Sequence, residues 1–261
     1  SIRLENFWIR RKIMENRKET YNKKGMYAGY DKSHKERNAL DYYSTPTAEV
    51  VNILETMKLN LDGTVILEPC VGGGHMVKGI QTYLADKQMT AAICGTDIQN
   101  RGYQDESLNS LQYGLDFLSD EYNEHLMVDI DYIIMNPPYA TIEPFVMKAL
   151  GIANKGVLML GRLQFLEGQS RYENILKDYP PTDVYVYVDR ISCDKNGTEK
   201  MGAVQAYAWF YWDLENPVAK ALVQEKTISY ISGELYINGV PYNKSPEATK
   251  IHWIRRSDKK K

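Results

Sequence analysis

The sequence is poor in the residues that build disulfide frameworks and zinc sites. Its 261 residues include only three cysteines and four histidines. Cys70, Cys94 and Cys193 are scattered along the chain, and the histidines lie too far apart in sequence to have metal-ligand spacing. We therefore expect a reduced, cytoplasmic protein without a structural metal.

Long apolar runs are also missing. No run approaches the roughly 20 residues that cross a bilayer, so no membrane partner is expected. Residues 1–18 contain no apolar h-region, which argues against a secretory signal. Hydrophobic residues make up 43% of the chain and charged residues 25%, as in ordinary globular proteins. This length accommodates one large α/β domain, alone or with a small appendage, and we expect a monomer.

The net charge of −2 conceals an uneven distribution. Residues 1–40 carry 11 Lys and Arg against 5 Asp and Glu, a net charge of +6. Residues 251–261 carry 5 against 1, a net charge of +4, which leaves −12 for the remainder. Basic termini around an acidic body fit a polyanionic partner, because Lys and Arg make phosphate contacts. Two solvated tails would give the same composition.

Apolar runs alternate with amphipathic segments along the middle of the chain. Strands are predicted at 64–70, 90–98, 131–136, 156–163, 183–189 and 206–213. Helices are predicted from Pro46, with Thr45 as N-cap, and at 75–87, 142–154 and 171–179. Strands separated by helices of about 10–15 residues predict an α/β fold with a doubly wound, mostly parallel sheet, closed by a final antiparallel strand.

The chain is expected to have three parts. Residues 1–40 form a basic N-terminal arm, with a short helix over 3–19, and residues 41–213 form the catalytic domain. Residues 214–261 form a small C-terminal hairpin module and a basic tail. The hairpin is predicted over 234–242, where Asn238-Gly239 separates two apolar runs.

A glycine-rich turn, "EPCVGGGHM", follows the first predicted strand of the catalytic domain. A glycine cluster between a strand and a helix lets a ligand approach the backbone closely. The turn lacks both the G-x-G-x-x-G fingerprint and the Gly-Lys-Ser/Thr of a P-loop. It therefore indicates a ligand other than a dinucleotide or a nucleoside triphosphate, unless it is merely a tight connection.

Two aspartates follow in the order that a nucleoside ligand needs. Asp97 ends the second strand, 25 residues after Gly72, where a carboxylate can accept both ribose hydroxyls. Asp116, in "GLDFL", could accept a hydrogen bond from an adenine amino group, with Ile98 and Phe117 packing on the ring faces. Each aspartate alone would equally fit a cap or a surface position.

The motif NPPY at 136–139 directly follows the apolar run "DYIIM". Two consecutive prolines give up two backbone donors and cannot continue a sheet ladder. The motif is therefore either a simple strand terminator or a stiff loop that carries chemistry.

The segments "EPCVGGG", "TDI", "LDF" and "NPPY" together resemble the class I S-adenosylmethionine-dependent methyltransferases. Within them, the chain is similar to the phage and prophage enzymes that methylate adenine N6 in DNA, and "GRLQFLEGQSR" and "YAWFYWD" fit that group. The resemblance covers about residues 41–213. It implies a Rossmann-like methyltransferase fold with S-adenosylmethionine as cofactor and DNA as partner.

The resemblance also implies roles for particular residues. The cofactor side would comprise Glu68, Gly72, Gly74, Asp97, Ile98, Asp116 and Phe117, with Tyr43 and Thr45 of "YYSTP" at the methionine end. The side-chain oxygen of Asn136 and the carbonyl of Pro137 would accept hydrogen bonds from the target amine. Pro138 would stiffen the loop, and Tyr139 would offer a face on which a flipped base stacks.

Some features leave alternatives open. NPPY also occurs in methyltransferases that act on RNA bases or on a protein glutamine, and the fold could serve as a non-catalytic nucleic-acid-binding module. The second aromatic wall expected after the strand at 183–189 is replaced by Ile191, Ser192 and Cys193, so Tyr187, Phe165 or N-terminal tyrosines are candidates. Covalent catalysis at cytosine is disfavoured, because Cys70 belongs to the cofactor loop and is expected to be a packed residue.

Overall fold

The computed structural model describes residues 43–126, 128–195, 205–215, 228–231, 234–237, 240–242 and 249–259. The basic arm predicted for residues 1–40, with its helix over 3–19, lies outside these ranges. None of the helices within them combines the length and apolar content needed to span a bilayer.

The strands and helices are numbered in chain order within the described part. The strands are β1 (Tyr43–Ser44), β2 (Val65–Glu68), β3 (Ala92–Asp97), β4 (Ser110–Tyr113), β5 (Tyr132–Met135), β6 (Gly156–Arg162), β7 (Asp183–Tyr187), β8 (Asp194–Lys195), β9 (Tyr207–Asp213), β10 (Ile228–Ile231), β11 (Glu234–Ile237), β12 (Val240–Tyr242) and β13 (Lys250–Ile254). The α-helices are α1 (Thr47–Met57), α2 (His75–Asp86), α3 (Tyr122–His125), α4 (Ile142–Ile152) and α5 (Gln169–Arg171).

Eight strands form one sheet in the order β13-β7-β9-β6-β5-β2-β3-β4. Seven of them are parallel to one another, and β9 is antiparallel to its neighbours β6 and β7. This confirms the predicted α/β fold with a mostly parallel sheet and an antiparallel strand. Because parallel strands end at the same edge, the segments that follow β2, β3, β5 and β6 meet there, and this edge holds the site.

Both faces of the sheet are buried, which explains the continuous apolar runs of its central strands. Successive residues of β5 belong to opposite cores, since Ile133 packs with α4 and Ile134 packs with α1 and α2. Every residue of β5 is buried. The helices between the strands cover both faces of the sheet.

Helix boundaries differ from the prediction in two places. Pro46 occupies the N-cap position of α1 rather than its first turn, so the helix begins at Thr47. The helix predicted over 171–179 is instead the short α5, continued by a π-helical turn over Tyr172–Leu176. The β4 strand was not predicted, because "SLQY" is short and only half-buried.

The C-terminal residues divide between two sheets. Strands β10, β11 and β12 form a separate antiparallel sheet, in which Ile237 pairs with Val240, in agreement with the predicted hairpin. Residues 250–254, assigned from sequence to the module and its basic tail, instead form β13, a parallel edge strand of the main sheet. The strand was missed because its apolar residues, Ile251, Trp253 and Ile254, stand in a segment with a net positive charge.

The segment after β13 is anchored to the first turn of α1. The buried carboxylate of Glu49 accepts hydrogen bonds from the backbone N–H of Ser257 (2.8 Å) and from its hydroxyl (2.7 Å). The Asn52 side-chain amide donates to the Arg255 carbonyl (2.7 Å). The last described turn therefore fixes the position of α1 on the sheet.

Candidate active site

A cavity of about 310 Å³ lies at the carboxyl edge of the parallel strands. This volume is at the low end of the range for small-molecule sites, about 300–1,000 Å³. All the residues that the sequence analysis assigned to the cofactor or to the NPPY loop line it, except Gly72 and Gly74. The cavity also contacts residues to which the sequence analysis gave no role, among them Arg101, Phe145 and Arg162. The roles assigned to these residues from sequence remain predictions.

The glycine turn is shaped by Gly72 and Gly74 rather than lined by them. Gly72 has a φ of 55° and Gly74 a φ of 77°, which other residues rarely adopt. A Cβ at Gly74 would collide with the ring of Tyr103. Gly74 also closes the turn by donating its N–H to the Val71 carbonyl (2.8 Å), directly before α2 begins.

Asp97 ties the glycine turn to the end of β3. One of its carboxylate oxygens accepts from the Gly72 N–H and the other from the Gln99 N–H, both at 2.8 Å. The residue is buried, yet it lines the cavity. Each carboxylate oxygen can accept more than one hydrogen bond, so these two contacts hold the group in place without exhausting its capacity.

Ile98 and Phe117 differ in what they offer to a ligand ring. Ile98 is 41% exposed, whereas Phe117 packs against Tyr122 and Phe145, each with ring centroids 5.0 Å away, and is 2% exposed. Asp116, beside Phe117, accepts from the Leu118 N–H (3.0 Å). Ile98 is thus the accessible apolar surface, and Phe117 supports the cavity wall from behind.

Glu68 is a buried carboxyl at the end of β2. Among the described residues, one of its oxygens has no hydrogen-bond partner. Burial and the nearby Asp97 carboxylate raise the pKa of Glu68 well above its ordinary value. An unsatisfied acceptor in a cavity wall is costly unless a ligand donates to it, so Glu68 suits a cationic or N–H-bearing ligand.

Asn136 is held by the segment that leads into α1. Its side-chain nitrogen donates to the Tyr43 carbonyl (2.8 Å) and to the Thr45 hydroxyl (3.1 Å). A carbonyl can only accept, so these contacts fix which end of the amide carries the nitrogen. The side-chain oxygen therefore lies at the opposite end of the group.

The Cys70 thiol joins the glycine turn to the NPPY loop. Its Sγ donates to the Asn136 carbonyl (3.4 Å). Burial and the carboxylates of Glu68 and Asp97 raise the pKa of this thiol well above its ordinary value. A thiol whose ionised form is disfavoured is a poor nucleophile, which fits a packing role for Cys70.

Tyr139 is surrounded more closely than the sequence suggested. Its ring stacks on Tyr43 (centroids 5.3 Å apart) and packs against Tyr207, whose hydroxyl accepts from the Tyr139 hydroxyl (3.2 Å). The Arg162 guanidinium lies 4.5 Å from the centre of the same ring. Burial raises the pKa of the Tyr139 phenol well above its ordinary value. The ring is therefore a fixed, neutral platform with neighbours already in contact.

The second aromatic ring beside Tyr139 comes from Tyr43. Strand β1, which carries Tyr43, pairs antiparallel with β8, and this pairing brings the chain after β7 next to the NPPY loop. Ile191 and Cys193 point into the core and do not line the cavity. Tyr187 and Phe165 are likewise buried and do not line the cavity.

Two residues that the sequence analysis missed lie near the ends of a strand and a helix, outside the recognised motifs. Arg162 and Phe145 reach the cavity through the ends of β6 and α4, and neither lies in a glycine or NPPY motif. Arg162 does belong to "GRLQFLEGQSR", which was noticed without a role. Its position as the last residue of a buried parallel strand was the signal available.

No family model matches the chain, and a search of curated proteins finds no match either. Among solved structures, it resembles the methyltransferase subunit of a type I restriction-modification system from Streptococcus thermophilus. That match has 12% identity and a TM-score of 0.49, and covers 66% of this chain and 45% of that one.

Two further structures have the same TM-score of 0.49. One is a Vibrio vulnificus protein described as a modification subunit of a type I restriction enzyme, with 14% identity and coverage of 75% and 47%. The other is a Listeria monocytogenes protein assigned to the class I S-adenosylmethionine-dependent methyltransferases, with 10% identity and coverage of 95% and 73%. The chain spans about half the length of the two restriction-system subunits. At these sequence identities and TM-scores, the structural likenesses carry no argument about the activity of this chain.

Proposed function

We propose that the protein transfers a methyl group from S-adenosylmethionine to the N6 amino group of adenine in DNA. The observation that carries the proposal is the orientation of Asn136, whose amide nitrogen is engaged by the Tyr43 carbonyl and the Thr45 hydroxyl. The amide oxygen is thereby left as the end available to a substrate amine, in the same cavity as Glu68 and Asp97.

The residues present fit the cofactor. Asp97 offers acceptors for ribose hydroxyls, Asp116 an acceptor for an adenine amine, and Ile98 an exposed apolar face. The unsatisfied oxygen of buried Glu68 suits a donor on the cationic methionine end, near Tyr43 and Thr45. When bound, S-adenosylmethionine would supply an electrophilic methyl group on its sulfonium.

The NPPY loop would act on the acceptor amine. The lone pair of an adenine amine is delocalised into the ring, so the nitrogen is a poor nucleophile. Acceptors at the Asn136 side-chain oxygen and the Pro137 carbonyl would favour a pyramidal nitrogen and stabilise the charge that develops on it. Pro138 and the hydrogen bond from the Thr141 N–H to the Pro138 carbonyl (3.0 Å) stiffen the loop that holds these acceptors.

A general base with a tuned pKa is not required, because the ammonium formed is acidic and can lose its proton to water. The contribution of Tyr139 would be positional. It would receive the flipped base by stacking, next to Tyr43.

The wider organisation is part of the proposal. Residues 41–213 together with strand β13 would form the catalytic domain, with the arm 1–40 before it, in a monomer that acts in the cytoplasm. The flanking basic segments would contact nucleic-acid phosphates.

The direct test supplies purified protein with S-adenosylmethionine labelled on its methyl group and offers duplex DNA, RNA and a protein extract in parallel. Label in DNA that is recovered as N6-methyladenine after digestion to nucleosides supports the proposal. Label confined to RNA or protein replaces it with an alternative acceptor. Asn136→Ala should lower the rate of labelling by about 10²–10³, and Asn60→Ala, in an exposed loop, serves as the matched control.

A further inference from the structure

Three carboxylates and three arginines lie along the carboxyl edge of the main sheet. Glu68 and Asp97 end β2 and β3, and Asp116 follows β4. Arg162 ends β6, Arg190 follows β7 by three residues, and Arg255 directly follows β13. In the strand order, these three carboxylates lie on one side of Asn136 and these three arginines on the other, although Arg101 follows β3 and Asp189 follows β7.

Of these three arginines, Arg162 is the one that contacts the NPPY loop. It lines the cavity and lies over Tyr139, and its buried Nε has no hydrogen-bond partner among the described residues. Within the same part of the chain, no carboxylate forms an ion pair with it. A partly buried cation without an anion is costly, so a ligand anion would stabilise it.

The strand order indicates which ligand supplies that anion. Arg162 is one strand from β5, which carries Asn136, but three strands from β3, which carries Asp97. At about 4.8 Å per strand, these separations are about 5 Å and 14 Å. The anion is therefore not on the nucleoside part of the cofactor, which leaves the methyl acceptor or the methionine carboxylate as its source.

Arg255 and Arg190 extend the positive charge outward from the cavity. The Arg255 side chain is 61% exposed, and its ion pair with the Asp189 carboxylate is long, at 4.0 Å. Arg190 is exposed, and its carbonyl accepts from Arg256 (3.3 Å). Arg256 itself is neutralised by Asp258 (2.5 Å) and so mainly holds the turn in place.

The rigidity of this surface comes from the fold. Strand β13 pairs with β7 along its whole length, and the ladder continues through the Val188 N–H to the Ile254 carbonyl (2.9 Å). Ser257 fixes the following turn to Glu49. Arg255 is therefore presented by the sheet itself, rather than by a loose tail.

We propose that Arg162, Arg190 and Arg255, here called the basic track, bind backbone phosphates of the nucleic-acid strand that delivers the target base. Three strand spacings separate β6 from β13, or about 14 Å. At 3.4 Å per nucleotide of duplex, that is about four nucleotides. The exposed Trp253, beside Arg255, gives the outer end of the track an apolar contact for sugar or base. The assignment rests on the proposed function only in taking nucleic acid as the acceptor.

The test measures binding of a fluorescent duplex oligonucleotide over a range of salt concentrations, without S-adenosylmethionine. Each lost phosphate contact should lower the slope of log affinity against log salt by about 0.9. Arg162→Gln and Arg255→Gln should each do so, and the double variant should lose both increments. Lys155→Gln is the matched control, because Lys155 precedes β6 at the opposite edge of the sheet.

Two further measurements separate the possible outcomes. Arg162→Lys keeps the positive charge and should therefore keep the salt slope of the wild type. Calorimetry with S-adenosylhomocysteine should give the same affinity for Arg162→Gln as for the wild type, and a loss there would assign Arg162 to the cofactor carboxylate and overturn the track.

The basic track is also overturned if both glutamine variants keep the slope of the wild type. The same holds if the wild type binds acidic protein but no nucleic acid. Because this assay requires no methyl transfer, the track can stand if DNA is bound but not methylated. A failed labelling experiment counts against the proposed function alone.

Discussion

The two halves of the site are built in different ways. The cofactor half is assembled from residues close in sequence, since Asp97 binds Gly72 and Gln99, 25 and 2 residues away. The acceptor half depends on distant contacts, with Asn136 bonded to Tyr43 and Thr45, 93 and 91 residues away, and Tyr139 to Tyr207, 68 residues away. The first half follows from local turns, whereas the second exists only once the whole sheet has formed.

Asn136→Ala should produce the largest effect and should be confined to the acceptor half. Removing one preorganised acceptor of the transition state lowers rates by about 10²–10³. Single-turnover methyl transfer should fall by that factor, while calorimetric affinity for S-adenosylhomocysteine changes little. A wild-type rate would reduce NPPY to a strand terminator.

Asp97→Asn should damage the cofactor half instead. An amide has one acceptor atom, so it cannot serve both the Gly72 and the Gln99 N–H groups as the carboxylate does. Affinity for S-adenosylhomocysteine should weaken by about 1.5–3 kcal/mol, the range for hydrogen bonds to charged groups. Undiminished affinity by calorimetry would reject the ribose assignment.

Two substitutions at Tyr139 divide the acceptor half further. Tyr139→Ala removes a stacking face worth about 1–3 kcal/mol per base and should weaken DNA capture accordingly. Tyr139→Phe keeps the face and loses only the hydroxyl contact to Tyr207, about 0.5–1.5 kcal/mol. Equal losses of DNA affinity in the two variants would show that the hydroxyl, rather than the ring, is what binds.

Ser257→Ala tests whether the acceptor half depends on α1. The variant loses the hydroxyl donor to buried Glu49 (2.7 Å), and urea unfolding should show a loss of about 1.5 kcal/mol. Ser107→Ala is the matched control, because it also removes a hydroxyl donor to a carboxylate, Asp105 (2.6 Å), at an exposed position. If cofactor affinity falls more than the rate of methyl transfer does, the acceptor half does not depend on α1 in this way.

The smallest expected effect concerns pH and the cofactor half alone. Burial raises the pKa of Glu68, so its neutral form is favoured in the folded protein without ligand. The stability from this shift is present below the ordinary value of 4.5 and is lost as pH rises through the folded pKa. A cationic ligand favours the carboxylate, so affinity for S-adenosylmethionine should increase over the same rise.

Glu68→Gln should flatten both profiles, as measured by thermal unfolding and by calorimetry. If the variant keeps the wild-type pH dependence of affinity, another group is responsible.

The sequence predicted the cofactor half more fully than the acceptor half for a physical reason. Strand patterns and the turns after them are local, so the position of Asp97 could be inferred from the strand it ends, whereas Asp116 was identified from the segment "GLDFL" without the strand before it. The β1–β8 pairing, the stacking of Tyr43 on Tyr139 and the place of Arg162 depend on which strands become neighbours in space. That order is set by packing across the whole sheet, and no single segment carries it.

The hydrogen bond between Asn52 and the Arg255 carbonyl has a consequence for synthesis of the chain. The partners are separated by 203 residues. At translation rates of about 5–20 residues per second, α1 leaves the ribosome about 10–40 s before Arg255 does. During that interval the Glu49 carboxylate lacks its Ser257 donors, and the outer edge of β7 has no strand beside it. An unpaired edge is a template for association with other nascent chains, so this interval is when a chaperone would be of most use.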